Sequence, residues 1–90
     1  MQVSKGVVRQ ITSHLKRCSL PMYDKELQLI NRIRRQAYGL GNGPVEVSAE
    51  ECVILIGLLG ETMPDIKNGK VKSMISGHHN RLIKLLEVHS

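Results

Sequence analysis

Apolar side chains recur with a helical period along most of this chain, and this pattern constrains the fold more than any other feature. In the first segment one stripe of a helical projection contains Val7, Val8, Ile11, Leu15 and Cys18. Connections that contain proline or glycine interrupt the pattern. The sequence therefore predicts an all-α fold, a small bundle of about four helices. Their predicted bounds are about 4–18, 24–38, 48–61 and 69–88.

Signals at the helix ends support these bounds. Ser19-Leu20-Pro21 ends the first helix, and Asp24 is the N-cap or a first-turn acid of the second, which Gly39 ends. Ser48 and Glu51 have the spacing of a capping box at the start of the third helix. Between the second and third helices, residues 39–44 form a glycine-rich loop, and residues 45–47 are briefly extended.

Two helices have more apolar surface than one neighbour can cover. Residues 53–59 are apolar around the whole circumference, which favours a central helix covered on several sides, with a buried strand as the alternative. The broad apolar face of the second helix consists of Tyr23, Leu27, Leu29, Ile30, Ile33, Ala37 and Tyr38. A four-helix monomer cannot easily bury both faces, so we expect self-association, most simply as a homodimer.

Length and composition predict a single helical domain over residues 1–90. With two tyrosines and no phenylalanine or tryptophan, the core must consist of Val, Ile, Leu and Met. Cys18 and Cys52 lack the spacing of a metal or redox site, which predicts small buried side chains and a reducing, cytoplasmic location. No signal peptide is expected, and no apolar run is long enough to cross a membrane.

The charge is divided into three blocks. Residues 1–38 have a net charge of +6, residues 39–66 of −5 and residues 67–90 of +4. Basic segments of this kind indicate nucleic acid or an acidic protein surface as the partner. Alternatively, the blocks neutralise one another when the helices pack.

The candidate nucleic-acid or anion-binding residues lie on the polar faces of the first two helices. They are Lys5, Arg9, Lys16, Lys25, Gln28, Arg32 and Arg35. Lys and Arg contact phosphates, whereas Arg, Gln and the neighbouring Asn31 can also contact base edges. Alternatively, these are solvated helix faces with no specific partner. The fourth helix adds a further basic side with Lys70, Arg81 and Lys84.

The sequence contains no pattern that indicates catalysis, a metal or a cofactor. The adjacent His78 and His79 point about 100° apart on a helix and cannot converge on one ion. Residues 39–43 lack the Lys and Ser or Thr of a phosphate loop and follow a helix rather than a strand. We therefore expect a non-enzymatic protein.

Part of the chain resembles a known group of regulators. Residues 53–56, followed by a short connection and another helix, resemble the small enterobacterial biofilm regulators of the AriR kind over about half of the chain. In size and charge the chain also resembles small basic regulators of phages, plasmids and bacterial accessory regions. Neither resemblance assigns a role to a residue.

The expected function is that of a small regulatory protein that binds nucleic acid or a macromolecular complex through its basic helix faces. The alternative is a protein-binding adaptor or inhibitor that acts through an exposed apolar helical surface around Leu29, Ile33 and Leu58.

Overall fold

The computed structural model describes residues 1–41 and 43–89, and helical residues account for 74% of it, which confirms the all-α fold class. Asn42, in the predicted loop, lies outside the described residues. The helices are α1 (Lys5–Arg17), α2 (Asp24–Tyr38), α3 (Ala49–Thr62) and α4 (Gly69–Val88). A 3₁₀ turn, Met63–Asp65, follows α3, and two short strands are β1 (Gln2–Val3) and β2 (Val45–Glu46). All four helices agree with the predicted bounds to within about one residue.

The chain forms two compact units, Met1–Val47 and the residues from Ser48 onward. The first unit contains α1, α2 and both strands, and the second contains α3, the 3₁₀ turn and α4. A single domain over residues 1–90 stays a prediction.

In the first unit, α1 and α2 pack through their apolar faces. The buried apolar side chains of the two helices are Val7, Val8, Ile11, Leu15, Leu29, Ile30, Ile33 and Ala37. The strands pair antiparallel, with Val3 opposite Val45, and both side chains are buried. Burial of each large apolar side chain stabilises the unit by about 1.5–3 kcal/mol.

The ends of α2 differ from the expected pattern in detail. The Glu26 carboxylate accepts a hydrogen bond from the Tyr23 amide at 2.9 Å, so Asp24 is a first-turn acid rather than the N-cap. Gly39 is the C-cap, as predicted, but its φ of −75° is extended rather than left-handed. A side chain at this position would place Cβ 3.2 Å from the Arg35 carbonyl oxygen, which is tighter than ordinary contact.

In the second unit, α3 packs on α4. The buried side chains of these helices are Cys52, Leu55, Leu58, Leu59, Thr62, Ile75 and Leu82. The Ser48 hydroxyl accepts from the Glu51 amide at 3.1 Å and the Glu51 carboxylate accepts from the Ser48 amide at 2.8 Å, which confirms the capping box. Because residues 53–59 lie inside α3, the buried-strand alternative is wrong.

Burial corrects the prediction of an apolar binding surface. Leu29, Ile33 and Leu58 each have at most 5% of their surface exposed and belong to the cores, so they cannot contact a partner. The predicted apolar face of α2 is only partly covered, because Tyr23, Leu27 and Tyr38 are exposed. These three side chains lie at the edge of the face that packs against α1.

In α3, one side of the apolar segment is open to solvent, because Val53 is 53% exposed. One further prediction needs correction. Cys18 follows the last residue of α1 and is half-buried, whereas Cys52 is fully buried as predicted. Among the described residues, no helix combines the length and the apolar character needed to cross a bilayer.

Candidate nucleic-acid interface

Lys5 and Arg9 contact the backbone at the carboxyl end of α2. Arg9 Nε donates to the Ala37 carbonyl at 2.8 Å, and Lys5 Nζ donates to the Gly39 carbonyl at 3.4 Å. The last carbonyls of a helix lack partners within it and have partial negative charge, so cations are favourable there. Both side chains therefore stabilise the end of α2, whatever else they bind.

Two arginines lie over the ring of Tyr38. The guanidinium carbon of Arg9 is 5.2 Å from the ring centroid and that of Arg34 is 5.4 Å from it. These distances are within the range of cation–π attraction, which is worth about 0.5–1 kcal/mol at exposed sites. The Tyr38 hydroxyl lies 3.4 Å from the Ser13 hydroxyl of α1. The ring therefore holds guanidinium groups of two helices close together.

An open depression adjoins this ring and is lined by Asn31, Arg34, Arg35 and Tyr38. We call Arg9, Arg34, Arg35 and Tyr38 the arginine cluster. Arg34 and Arg35 are exposed, and no carboxylate within residues 1–41 and 43–89 forms an ion pair with either. An anion that enters the depression thus meets positive charge that no described acid neutralises.

The exposed face of α2 continues from this cluster toward the start of the helix. Lys25, Gln28, Asn31 and Arg35 are all exposed and follow one another at helical spacing. At a rise of about 1.5 Å per residue, the Cα atoms of Lys25 and Arg35 are about 15 Å apart along the axis. Arg32 does not belong to this row, because it is half-buried and its Nη1 donates to the Glu46 carbonyl of β2 at 3.4 Å.

The seven predicted residues thus do not form one patch. Lys16 is exposed in the last turn of α1, about 10 Å along the axis from Arg9. There it lies beside Arg17, where positive charge interacts favourably with the carboxyl end of α1. In the structure, Arg9 lies over the Tyr38 ring and Arg35 lines the depression beside that ring. Lys25 and Gln28 lie on the same exposed face of α2 as Arg35. A binding role for all seven stays a prediction.

Sequence reasoning missed Arg34 and the cationic surroundings of Tyr38. The helical projection places Tyr38 on the apolar face, and Arg34 is not among the candidate binding residues. A signal was available, because Asn31, Arg34, Arg35 and Tyr38 have the i, i+3, i+4, i+7 spacing of one helix face. The participation of Arg9 required the packing of α1 against α2.

The buried ionisable groups are separate from this surface. His14 is buried in α1, and burial, followed by the positive charge of Arg17, lowers its pKa. Burial has the opposite effect on a thiol and raises the pKa of Cys52. The Cys52 thiol donates a hydrogen bond to the Leu82 carbonyl at 3.5 Å. In the part of the chain that the structure describes, no group of three or more His, Cys, Asp or Glu residues is arranged to hold a metal ion.

Comparison with protein-family models, with curated proteins and with solved structures found no match for this chain. Its connection between α1 and α2, residues 18–23, is also longer than the three or four residues typical of a helix-turn-helix motif. The function must therefore be inferred from the geometry of these residues.

Proposed function

We propose that this protein is a small, non-enzymatic regulator that binds nucleic acid through the arginine cluster and the exposed face of α2. The observation that supports this most directly is the pair Arg34 and Arg35, exposed and without a carboxylate partner among the described residues. Guanidinium groups are planar and weakly hydrated, which suits them to phosphate oxygens. Residues 27–38 contain three arginines and no acid, so nothing on this segment repels a polyanion.

The distribution of charge between the two units supports the same interface. Residues 1–47 contain eight Lys and Arg residues against three acids, a net charge of +5. Residues 48–90 contain five of each sign and are formally neutral. The entire net charge of the chain therefore belongs to the unit that contains the arginine cluster, where it raises the local concentration of a polyanion.

Charge reversal of the two exposed arginines tests this proposal. Each phosphate contact that is lost should reduce the slope of log affinity against log salt by about 0.9 for duplex DNA. Arg34→Glu with Arg35→Glu should therefore weaken binding at low salt and reduce the slope by about 1.8. Arg32 is left unchanged because its bond to β2 makes it part of the fold. Circular dichroism checks that α2 still forms.

The matched control is Lys70→Glu with Lys84→Glu on α4, which changes the net charge by the same amount in the neutral unit. Both side chains are exposed, so the fold should tolerate the change. We expect the control to keep the wild-type slope. Equal losses in the two variants would show that net charge alone governs binding, and unchanged affinity in the α2 variant would contradict the proposal.

A second candidate function is that of an adaptor that binds one protein through α2. The observation that favours it is the exposure of Tyr23 (82%) and Leu27 (44%) near the start of this helix. Tyr and Arg side chains are enriched in the energetic centres of protein interfaces. Binding through an apolar interface of this kind should depend little on salt and should be weakened by Leu27→Ala. Binding to phosphates should weaken steeply as the salt concentration rises and should be unaffected by Leu27→Ala.

We also propose that the chain self-associates through α3. Val53 is 53% exposed, its neighbours Ile54 and Ile56 are half-buried, and the exposed Gly57 has no atom within 4 Å of the position of a Cβ. A second helix can approach such a smooth apolar strip closely. Self-association would cover it.

A further inference from the structure

We propose that α2 enters the major groove of duplex DNA and that Gln28 and Asn31 recognise adenine there. This inference rests on the proposed function and adds sequence selectivity to it. Both amide side chains are exposed, and no hydrogen-bond partner for either lies within residues 1–41 and 43–89. Asn and Gln form paired hydrogen bonds with N6 and N7 of adenine, a pattern that only the major groove presents.

The spacing of the two amides matches the spacing of bases. Gln28 and Asn31 are three residues apart on α2, so their Cα atoms are separated by about 4.5 Å along the axis. Successive base pairs are about 3.4 Å apart along one strand. The two side chains therefore reach neighbouring base pairs without bending the helix or the DNA.

The charged residues of α2 flank the amides on both sides. Lys25 precedes Gln28 by three residues and Arg35 follows Asn31 by four, and all four are exposed. Along the helix axis, Lys25 lies about 4.5 Å before Gln28 and Arg35 about 6 Å after Asn31. With α2 lying along the groove, the amides face the base edges, and the long side chains of the two cations can reach phosphates that border the groove.

The structure favours B-form DNA over the other nucleic acids. The major groove of duplex RNA is too deep and narrow for side chains to read its bases. Single strands bind by stacking of bases on aromatic rings, but the ring of Tyr38 already lies against the guanidinium groups of Arg9 and Arg34. Tyr23 is the other tyrosine of the sequence, too few for a stacking platform.

The test begins with selection of the purified protein on a random duplex library. We expect enrichment of sites with adenine at adjacent or nearly adjacent positions. Replacement of each selected adenine should weaken binding about 5- to 150-fold for the wild type. Gln28→Ala and Asn31→Ala should each remove this discrimination at one position and leave the salt slope unchanged. The matched control is Gln36→Ala, an exposed glutamine of α2 outside the row, which should keep the selectivity.

The outcomes separate this inference from the proposed function. Salt-dependent binding without sequence preference would overturn the recognition of adenine by Gln28 and Asn31 and would leave the proposed function intact. A preference that survives both alanine substitutions would also overturn it, as would equal affinity for a duplex RNA of the selected sequence. Absence of binding to any duplex or single strand at low salt would overturn the proposed function itself. Circular dichroism of each variant shows that a lost preference does not reflect a lost helix.

Discussion

His14 is an ionisable side chain in the core of the first unit, with 4% of its surface exposed. Burial, and then the charge of Arg17, lowers its pKa from the ordinary value of 6.5, so the folded chain binds the proton less tightly than the unfolded chain. The pKa of His78 in α4 is lowered in the same way by burial and by Arg81. Both histidines therefore favour the unfolded state as the pH falls below about 6.5.

The lowered pKa values of these two histidines predict how the stability of the protein depends on pH. The free energy of unfolding should be highest between pH about 7 and 8, below the range in which the Cys52 thiol titrates, and should decrease as the pH falls toward about 5, before most carboxylates titrate. Urea denaturation across this range measures it. His14→Gln should make this dependence shallower, with the part due to His78 remaining, whereas the control His89→Gln, at an exposed position after α4, should leave it unchanged. A wild-type stability that is unchanged or rises on acidification would contradict the prediction.

At the scale of elements, the end of α2 depends on a residue of α1. Arg9 provides a hydrogen bond to the Ala37 carbonyl and a cation near Tyr38. Arg9→Ala should therefore lower the free energy of unfolding by about 1 kcal/mol and increase amide exchange near Gly39. Lys16→Ala is the control, because Lys16 is exposed at the other end of α1. Equal stabilities for the two variants would show that the bond contributes nothing.

The helices could be predicted because their signals are local. The Ser48–Glu51 capping box and the helical period of apolar residues act within a few residues, and the observed bounds follow them closely. Strand β1 could not be predicted, because Gln2 and Val3 become a strand only by pairing with residues more than forty positions away. A two-residue segment contains no period to recognise.

The interface was predictable only in part for the same reason. The basic row of α2 follows from its sequence, whereas the arginine cluster requires Arg9 of α1 to lie beside Tyr38 of α2. Burial likewise decides which apolar residues remain available: Leu29 and Tyr38 lie on one broad projected face, but only Tyr38 is exposed. Whether an apolar residue stays exposed depends on how far the neighbouring helix extends. A helical projection of one segment gives no information about that neighbour.

At the scale of the whole molecule, the distribution of charge indicates which unit can meet a second copy. Two units with a net charge of +5 repel one another, whereas two copies of the neutral unit from Ser48 onward do not. The exposed apolar strip of α3 belongs to this neutral unit and includes Val53, which is 53% exposed. Charge therefore favours association through the unit that contains α3 over association through the unit that contains α2.

The last prediction tests this association. Sedimentation of the wild type should show a monomer–dimer equilibrium that shifts to dimer as concentration rises. Val53→Asp should keep the chain monomeric, because two carboxylates would face each other across an apolar contact that desolvates them. Val88→Asp is the matched control, since Val88 is 78% exposed at the end of α4 and should leave the equilibrium unchanged. A wild type that stays monomeric at every concentration would refute self-association, and dimerisation of Val53→Asp would place the contact elsewhere than α3.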